Sequence, residues 1–204
     1  MLIPLSKLYS KYKIKSTGIV HIGAHWGEEF KEYSRFGLRN QIWIEADPDT
    51  YTKLLNTIGH QPGVRCINAC VSDTTGEEVI FNVASNDGQS SSFLQLGTHA
   101  QVHPEVKYVR SFTTSTIRMD DLFTGLTDIN FLAADVQGAE LKVLKGMGLL
   151  LDGINYIYLE VNKKETYKGC AVVEEIDEFL FDFRRVETAP WVGDTWSDAF
   201  YIRK

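Results

Sequence analysis

Gly18-Ile-Val-His-Ile-Gly-Ala-His-Trp-Gly27 is the stretch on which the fold turns. Gly18 to Ile22 is short, apolar and rich in β-branched residues, so it reads as a buried strand. Gly23, Ala24, His25, Trp26 and Gly27 then make a tight turn, and Glu28 and Glu29 open a helix. Glycines at such a turn let the backbone bend sharply and approach a ligand at the carboxyl end of a central strand, where open α/β sheets hold nucleotides. The spacing is GxxxG, whereas a dinucleotide turn wants GxGxxG, and two carboxylates at the helix start disfavour an anionic pyrophosphate. A cationic nucleoside such as S-adenosylmethionine has no phosphate to cradle and tolerates the acids. By itself the GxxxG turn is equally a packing device.

Outward from this turn, strand-like runs recur at Gln41–Glu45, Val64–Asn68, Ile129–Ala134 and Ile154–Val161, bounded by Gly, Asp or Asn. Helix-period stretches lie between several of them: Phe30, Tyr33 and Phe36 share a face, Thr50 to Ile58 supplies another helix, and Leu141, Leu144 and Met147 a third. This alternation predicts an α/β fold with a mostly parallel sheet covered on both sides. Glu78–Ala84 and Val106–Ile117 look extended and flank a polar loop, Ser85–Ser92, so about 78–117 is expected as a small β insertion. A helix from Val172 to Phe181 precedes two strand-like runs, Phe183–Glu187 and Ala199–Ile202, which are expected to pair antiparallel across a loop holding Trp191 and Trp196. Met1–Ser16 carries Leu2, Leu5, Leu8, Tyr9 and Tyr12 at helical spacing and reads as an amphipathic first helix lying on the domain.

With 204 residues the chain fits one domain, since roughly 150 residues is the usual size. Its 21 Lys and Arg against 27 Asp and Glu, with no basic block, argue against a partner bound through a phosphate backbone. Cys66, Cys70 and Cys170 lack paired spacing and are expected as reduced thiols, in keeping with a cytoplasmic setting. No apolar run is long enough for a membrane span.

Several of the strands end in acids. Glu45 closes the second, 22 positions after Gly23, where a carboxylate accepts ribose hydroxyls; Ala46, Asp47 and Pro48 follow. Asp135 follows the fourth, ahead of Val136, Gln137, Gly138, Ala139 and Glu140, and Glu160 lies at the end of the fifth. A carboxylate at the end of an apolar strand is costly unless it faces a cleft. Val71, Ser72 and Asp73 are read as the close of the third strand on the adenine side, although an Asp before Thr-Thr-Gly is also an ordinary turn former. His21, inside the first strand, reads as a hydrogen-bonded core residue bordering the cofactor.

The chain resembles the FkbM-type family of S-adenosylmethionine-dependent methyltransferases. The resemblance is carried by Asp-Val-Gln-Gly-Ala-Glu-Leu-Lys-Val-Leu-Lys-Gly from Asp135 to Gly146, and supported by Val20–Gly27, Glu45 with Pro48, Asn68–Asp73 and the Ser90-Ser91-Ser92 run. It implies a class I methyltransferase sheet of seven strands with the last antiparallel, and O-methylation of a hydroxyl on a sugar, a glycan or a small polyketide-like metabolite. The cofactor-side residues are then His21, Gly23, Ala24, His25, Gly27, Glu45, Ala46, Asp47, Ser72, Asp73, Ser91, Ser92, Asp135, Val136 and Gln137. The proton acceptor is expected among Asp135, Glu160 and His103, with His99 an outside candidate in the same polar stretch. The chain departs from the family pattern in two places: Gln137 stands where Glu is common, and His25 and Trp26 stand where small or polar residues are usual. Oxygen ligands for a divalent ion are available at Asp135, Glu160 and Asp198, but without a compact ligand motif no metal is expected. Trp191 and Trp196 either stack on a sugar face or cap the sheet. The oligomeric state stays open between monomer and homodimer. The competing readings are a nicotinamide oxidoreductase, disfavoured by the missing GxGxxG; a nucleic-acid methyltransferase, disfavoured by the charge; and a catalytically inactive cofactor-binding module.

Overall fold

The computed structural model describes all 204 residues. In chain order the elements are α1 (Leu5–Tyr12), β1 (Gly18–Ile22), α2 (Phe30–Arg35), β2 (Asn40–Glu45), α3 (Pro48–Ile58), β3 (Val64–Asn68), β4 (Cys70–Val71), β5 (Glu78–Ala84), α4 (His99–Val102), β6 (Tyr108–Ile117), α5 (Met119–Leu122), β7 (Phe131–Ala134), α6 (Glu140–Gly146), β8 (Tyr156–Asn162), α7 (Val173–Phe179), β9 (Phe183–Thr188) and β10 (Trp196–Arg203), with a 3-10 turn at Gly148–Gly153 before β8. Seven strands form one sheet in the order β3-β2-β1-β7-β8-β10-β9. The pairs from β3 to β8 are parallel, and β10 runs antiparallel to both β8 and β9. This is the expected α/β sheet with its antiparallel last strand.

Strand alternation sorts the core into two layers. Ile22, Ile44, Leu132, Ala134, Leu159 and Ala199 face one side, against α5, α6 and α7. Trp43, Phe131, Ala133, Tyr158 and Phe200 face the other, against α1, α2 and α3. A parallel sheet covered on both faces buries every residue of a central strand, and all five residues of β1 are buried. Pro48 at the first turn of α3 and Asp47 before it explain why that helix starts where it does: the Asp47 carboxylate accepts the Thr50 N–H and hydroxyl.

Beyond shifts of a few residues at several element ends, the largest being at β10, which begins at Trp196 where Ala199 is expected, three differences bear on the site. The first helix is confined to Leu5–Tyr12, because the preceding residues run across the sheet's carboxyl edge instead. Glu28 and Glu29 lie ahead of α2, which begins at Phe30. The third strand ends at Asn68. The chain then makes a separate short strand, β4, that pairs with the end of β6 in a second sheet ordered β4-β6-β5. The expected insertion is therefore a β5–β6 antiparallel pair tied to the main sheet's edge through Cys70 and Val71. Cys66, Cys70 and Cys170 are free thiols. No helix is long and apolar enough to cross a membrane.

Candidate active site

The parallel register brings the strand-end acids into one row. Ile22 pairs with Ile44 and Ala134, Ala134 pairs with Leu159, and Glu160 pairs with Asp198. One residue further on, the row reads Glu45, Gly23, Asp135, Glu160, Asp198 across β2, β1, β7, β8 and β10. Because side chains alternate along a strand, these carboxylates share the face of Trp43, Ala133, Tyr158 and Phe200. They open into a cavity of about 590 Å³ at the sheet's carboxyl end, within the range of roughly 300–1,000 Å³ that small-molecule sites occupy.

Gly23 makes the turn possible. It has φ +79°, and a Cβ there would lie 1.8 Å from the Asp135 carbonyl oxygen. The Gly23 and Ala24 N–H groups donate to the Ile44 carbonyl, at 2.9 and 3.0 Å, which fixes the turn against β2. Glu45 accepts the His25 N–H and the Asp47 N–H, both at 2.9 Å. Burial outweighs those two bonds and pushes its carboxyl up to about 7. His25 bridges Glu28 (Nδ1 to Oε1, 2.6 Å) and the Asp87 carbonyl (Nε2, 2.9 Å). Burial lowers its pKa, but these two partners more than reverse that, and the imidazole stands above its ordinary value. His21 is a buried core residue as expected, with its ring 5.0 Å from Trp43 and its Nδ1 3.0 Å from the Tyr33 hydroxyl. One edge of it reaches the cavity.

At the other end, the Gln137 amide donates to Asp135 and to Glu160 (3.2 Å), while its carbonyl oxygen accepts the Tyr167 hydroxyl. A neutral amide at this position gives both acids a shared donor, where a glutamate would add a third carboxylate. Asp135 is solvated by the cavity yet walled in by protein. Desolvation and the nearby Asp198 raise its carboxyl to about 6, and desolvation with the Asp135 charge raises Glu160 well above the usual range. Glu140, at the start of α6, accepts the Val136 and Gly138 N–H groups and so shapes the loop that carries Asp135. Asp135, Glu140 and Glu160 each offer an oxygen within 4.8 Å of the others. Asp198, the third acid in the sequence-based ligand set, instead accepts the Tyr158 hydroxyl and the Leu2 N–H.

Of the residues expected at the cofactor, His21, Gly23, Ala24, His25, Glu45, Ala46, Ser91, Asp135, Val136 and Gln137 line the cavity; Gly27, Asp47, Ser72, Asp73 and Ser92 do not. Gly27 packs on Leu54 and Ile58 of α3. Asp47 caps α3 and pairs with Arg110. Asp73 is salt-bridged to Lys142 at 3.2 Å, with Ser72 donating to it. The chain leaves the sheet after Asn68, so Ala69, Cys70 and Val71 take the wall position read for Ser72 and Asp73. The Ser92 hydroxyl donates to the Gln137 carbonyl and holds the Asp135 loop from outside.

Of the proton-acceptor candidates, Asp135 and Glu160 lie side by side in the row. His103 sits at the cavity edge, its Nδ1 3.5 Å from Glu105. His99, the outside candidate in the polar stretch, is buried at 6% exposure, with Nε2 3.2 Å from the Ser90 hydroxyl and its ring beside Tyr167. Trp196 begins β10 and lines the cavity, whereas Trp191 packs against the core. Sequence reasoning missed the wall contributed by Met1 and Leu2, which the Asp198 and Tyr158 contacts hold across the site.

Comparison with known proteins agrees with this architecture. The chain is similar to the 2-O-methyltransferase NoeI of Sinorhizobium fredii, with 26% identity over 181 residues, covering 84% of this chain and 74% of that protein. It also resembles the hexuronic acid methyltransferase AglP of Haloferax volcanii, 29% identical over 126 residues, 60% of this chain and 47% of that protein. Among solved structures, magnesium protoporphyrin IX methyltransferase from Synechocystis PCC 6803 with bound SAM shares the fold, at TM-score 0.51 and 11% identity, covering 98% of this chain and 76% of that one. The family model described as Methyltransferase FkbM domain matches residues 21–186, from the first strand to the penultimate one. With the glycine turn, the acid row and the Asp135–Gly146 segment all inside that span, the chain belongs to the FkbM family of methyltransferases.

Proposed function

We propose that this methyltransferase uses S-adenosylmethionine to methylate a hydroxyl oxygen of a sugar or glycan. The observation that carries the reading is the row Glu45, Gly23, Asp135, Glu160, Asp198 bordering one cavity. The donor set fits the cofactor: a buried carboxylate at the tip of β2 suits ribose hydroxyls, and a wall free of Lys and Arg side chains suits a cation. Bound there, S-adenosylmethionine supplies an electrophilic methyl carbon on a sulfonium. Gly23 and Ala24 give close backbone approach, Glu45 accepts the ribose hydroxyls, and Ala46, Ala69, Cys70 and Val71 offer an apolar slot for the adenine.

Methyl transfer to an alcohol needs an oriented acceptor, exclusion of water and a destination for the hydroxyl proton. Asp135 and Glu160 supply that destination as a pair, and the Gln137 amide fixes their geometry. A carboxyl near 6 is poised to take a proton at neutral pH better than an ordinary surface acid. His103 is the third candidate, nearer the mouth. The insertion lines the cavity through Asn86, Gln89, Ser90, Ser91 and His99, reaching from His25, which bonds the Asp87 carbonyl, across to Gln137, whose backbone carbonyl accepts the Ser92 hydroxyl, and is assigned to the acceptor. The names of the two curated relatives, one for a 2-O position and one for a hexuronic acid, support an oxygen acceptor on a sugar. Incubation with isotopically labelled S-adenosylmethionine and a glycan panel, with mass detection, tests the reading: labelled methyl in a glycan is expected, and label in none of them refutes the sugar assignment.

A further inference from the structure

The charge of the whole cavity wall has a bearing on the acceptor. At the cofactor end stand Glu28, Glu29 and Glu45; at the acceptor end stand Glu105, Asp135, Glu160 and Asp198. No lysine or arginine side chain reaches the wall, and the Met1 amino nitrogen that borders it lies 3.9 Å from Glu29. Cations close by are committed elsewhere: Arg110 to Asp47 and Asp49, Lys142 to Asp73. The other polar groups on the wall are the amides of Asn86, Gln89 and Gln137, the hydroxyls of Ser90, Ser91 and Thr166, and the His103 imidazole, which is paired with Glu105. His99 adds a buried imidazole whose Nδ1 has no protein partner, and burial lowers its pKa, which favours the neutral ring. Trp196 gives an aromatic surface next to the acids.

Such a wall suits hydroxyls and ammonium groups, because carboxylates and amides accept their hydrogens and an indole face covers the apolar side of a sugar ring. It is hostile to a second anion. A carboxylate or phosphate brought beside Asp135 and Asp198 would lose its hydration, meet like charge and find no lysine or arginine to pair with. Discrimination by a built-in repulsive element is a common route to specificity.

We propose that the acceptor is an uncharged or amine-bearing sugar, and that Asp198, with Asp135 beside it, rejects uronates, sugar phosphates and nucleotide-linked sugars. The proposal rests on the sugar-hydroxyl reading above and goes beyond it in fixing the charge class of the substrate. It also separates this chain from a hexuronic acid acceptor.

The test uses the full chain, labelled S-adenosylmethionine and three matched oligosaccharides that differ only in the terminal residue: a hexose, a hexosamine and a hexuronate. The expected result is kcat/KM for the hexose and hexosamine at least tenfold above that for the hexuronate. In Asp198→Asn this ratio is expected to narrow at least threefold, whatever the variant's overall activity, because the ratio is internal to each protein. A hexuronate methylated as well as the hexose overturns the charge assignment and leaves the sugar reading standing. Discrimination unchanged in Asp198→Asn overturns the role given to that residue. Transfer to none of the three, with cofactor binding intact by calorimetry, removes the sugar reading and the inference with it.

Discussion

In the proposed function, Asp135 and Glu45 carry the most direct roles, and each has a distinct test. Asp135→Asn keeps shape and can still accept the Gln137 amide hydrogen, but it cannot take a proton. Its kcat is expected to fall about 10²–10⁴-fold, the usual contribution of a positioned base, with cofactor affinity by calorimetry and the thermal transition nearly unchanged; full turnover in this variant removes Asp135 from the mechanism. Glu45 makes a pH prediction. Burial raises its carboxyl to about 7, so below that pH the group is protonated in the free protein, and binding a ribose through the ionised form must first expel the proton. Affinity for S-adenosylmethionine is therefore expected to rise with pH up to about 7 and then level off, at about tenfold per pH unit on the acid side when one proton is released. Glu45→Gln should bind more weakly and lose this slope. A wild-type affinity that is flat between pH 5.5 and 8 contradicts the assignment. The residue scale also holds the clearest gap in sequence reading. The Asp at 73 and the Ser at 72 fitted an adenine-side motif, but Asp73 is bound to Lys142, and nothing in the local sequence announces a salt bridge to a residue 69 positions away.

Among the elements, the turn from β7 into α6 is the most constrained. Gln137 and Gly138 both have positive φ, 54° and 98°, and a Cβ on Gly138 would come within 2.8–3.0 Å of three atoms of the Tyr167 side chain. Gly138→Ala is expected to cost about 1–3 kcal/mol from backbone strain alone, and to displace Tyr167 from Gln137 and so loosen the Asp135–Glu160 pair. The checks are a chemical denaturation curve and a kcat that falls further than the cofactor affinity does. Equal stability and equal kcat would show that the turn tolerates a side chain. The elements were legible in sequence where an apolar run meets a breaker, as at β1, β2, β7 and β8. They were less legible where tertiary pairing alone defines them. Cys70–Val71 is too short to announce itself and exists as β4 only because β6 lies alongside it. Trp196 to Asp198 belong to β10 because β8 pairs with them, although the tryptophan and the polar residues around it read as loop.

For the whole molecule, the decisive feature is that residues far apart in the chain complete one wall. The Leu2 N–H donates to Asp198 and the Ile3 N–H to Tyr158, bonds that span 196 and 155 positions. Helix α1 secures that crossing by burying Leu5 and Leu8 completely against the α1–α3 side of the sheet. Leu8→Ala removes a fully buried side chain and is expected to destabilise the protein by about 2–5 kcal/mol, read as a melting temperature lowered by roughly 2–4 °C per kcal/mol in a chain of this size. Because the crossing borders the acceptor half, acceptor KM should rise more than cofactor Kd. A variant that melts like the wild type would mean that α1 is not anchored through Leu8. The sequence by itself determined the sheet class, the glycine turn, and the acids at Glu45, Asp135 and Glu160, since strand periodicity and strand-end chemistry are local properties that the chain states outright. Only the tertiary structure decided that Asp198 joins their row, that Ala69–Val71 replaces Ser72–Asp73 at the wall, and that the first residues close the site. Those facts depend on register and crossover between distant segments, which the packing of the folded core selects.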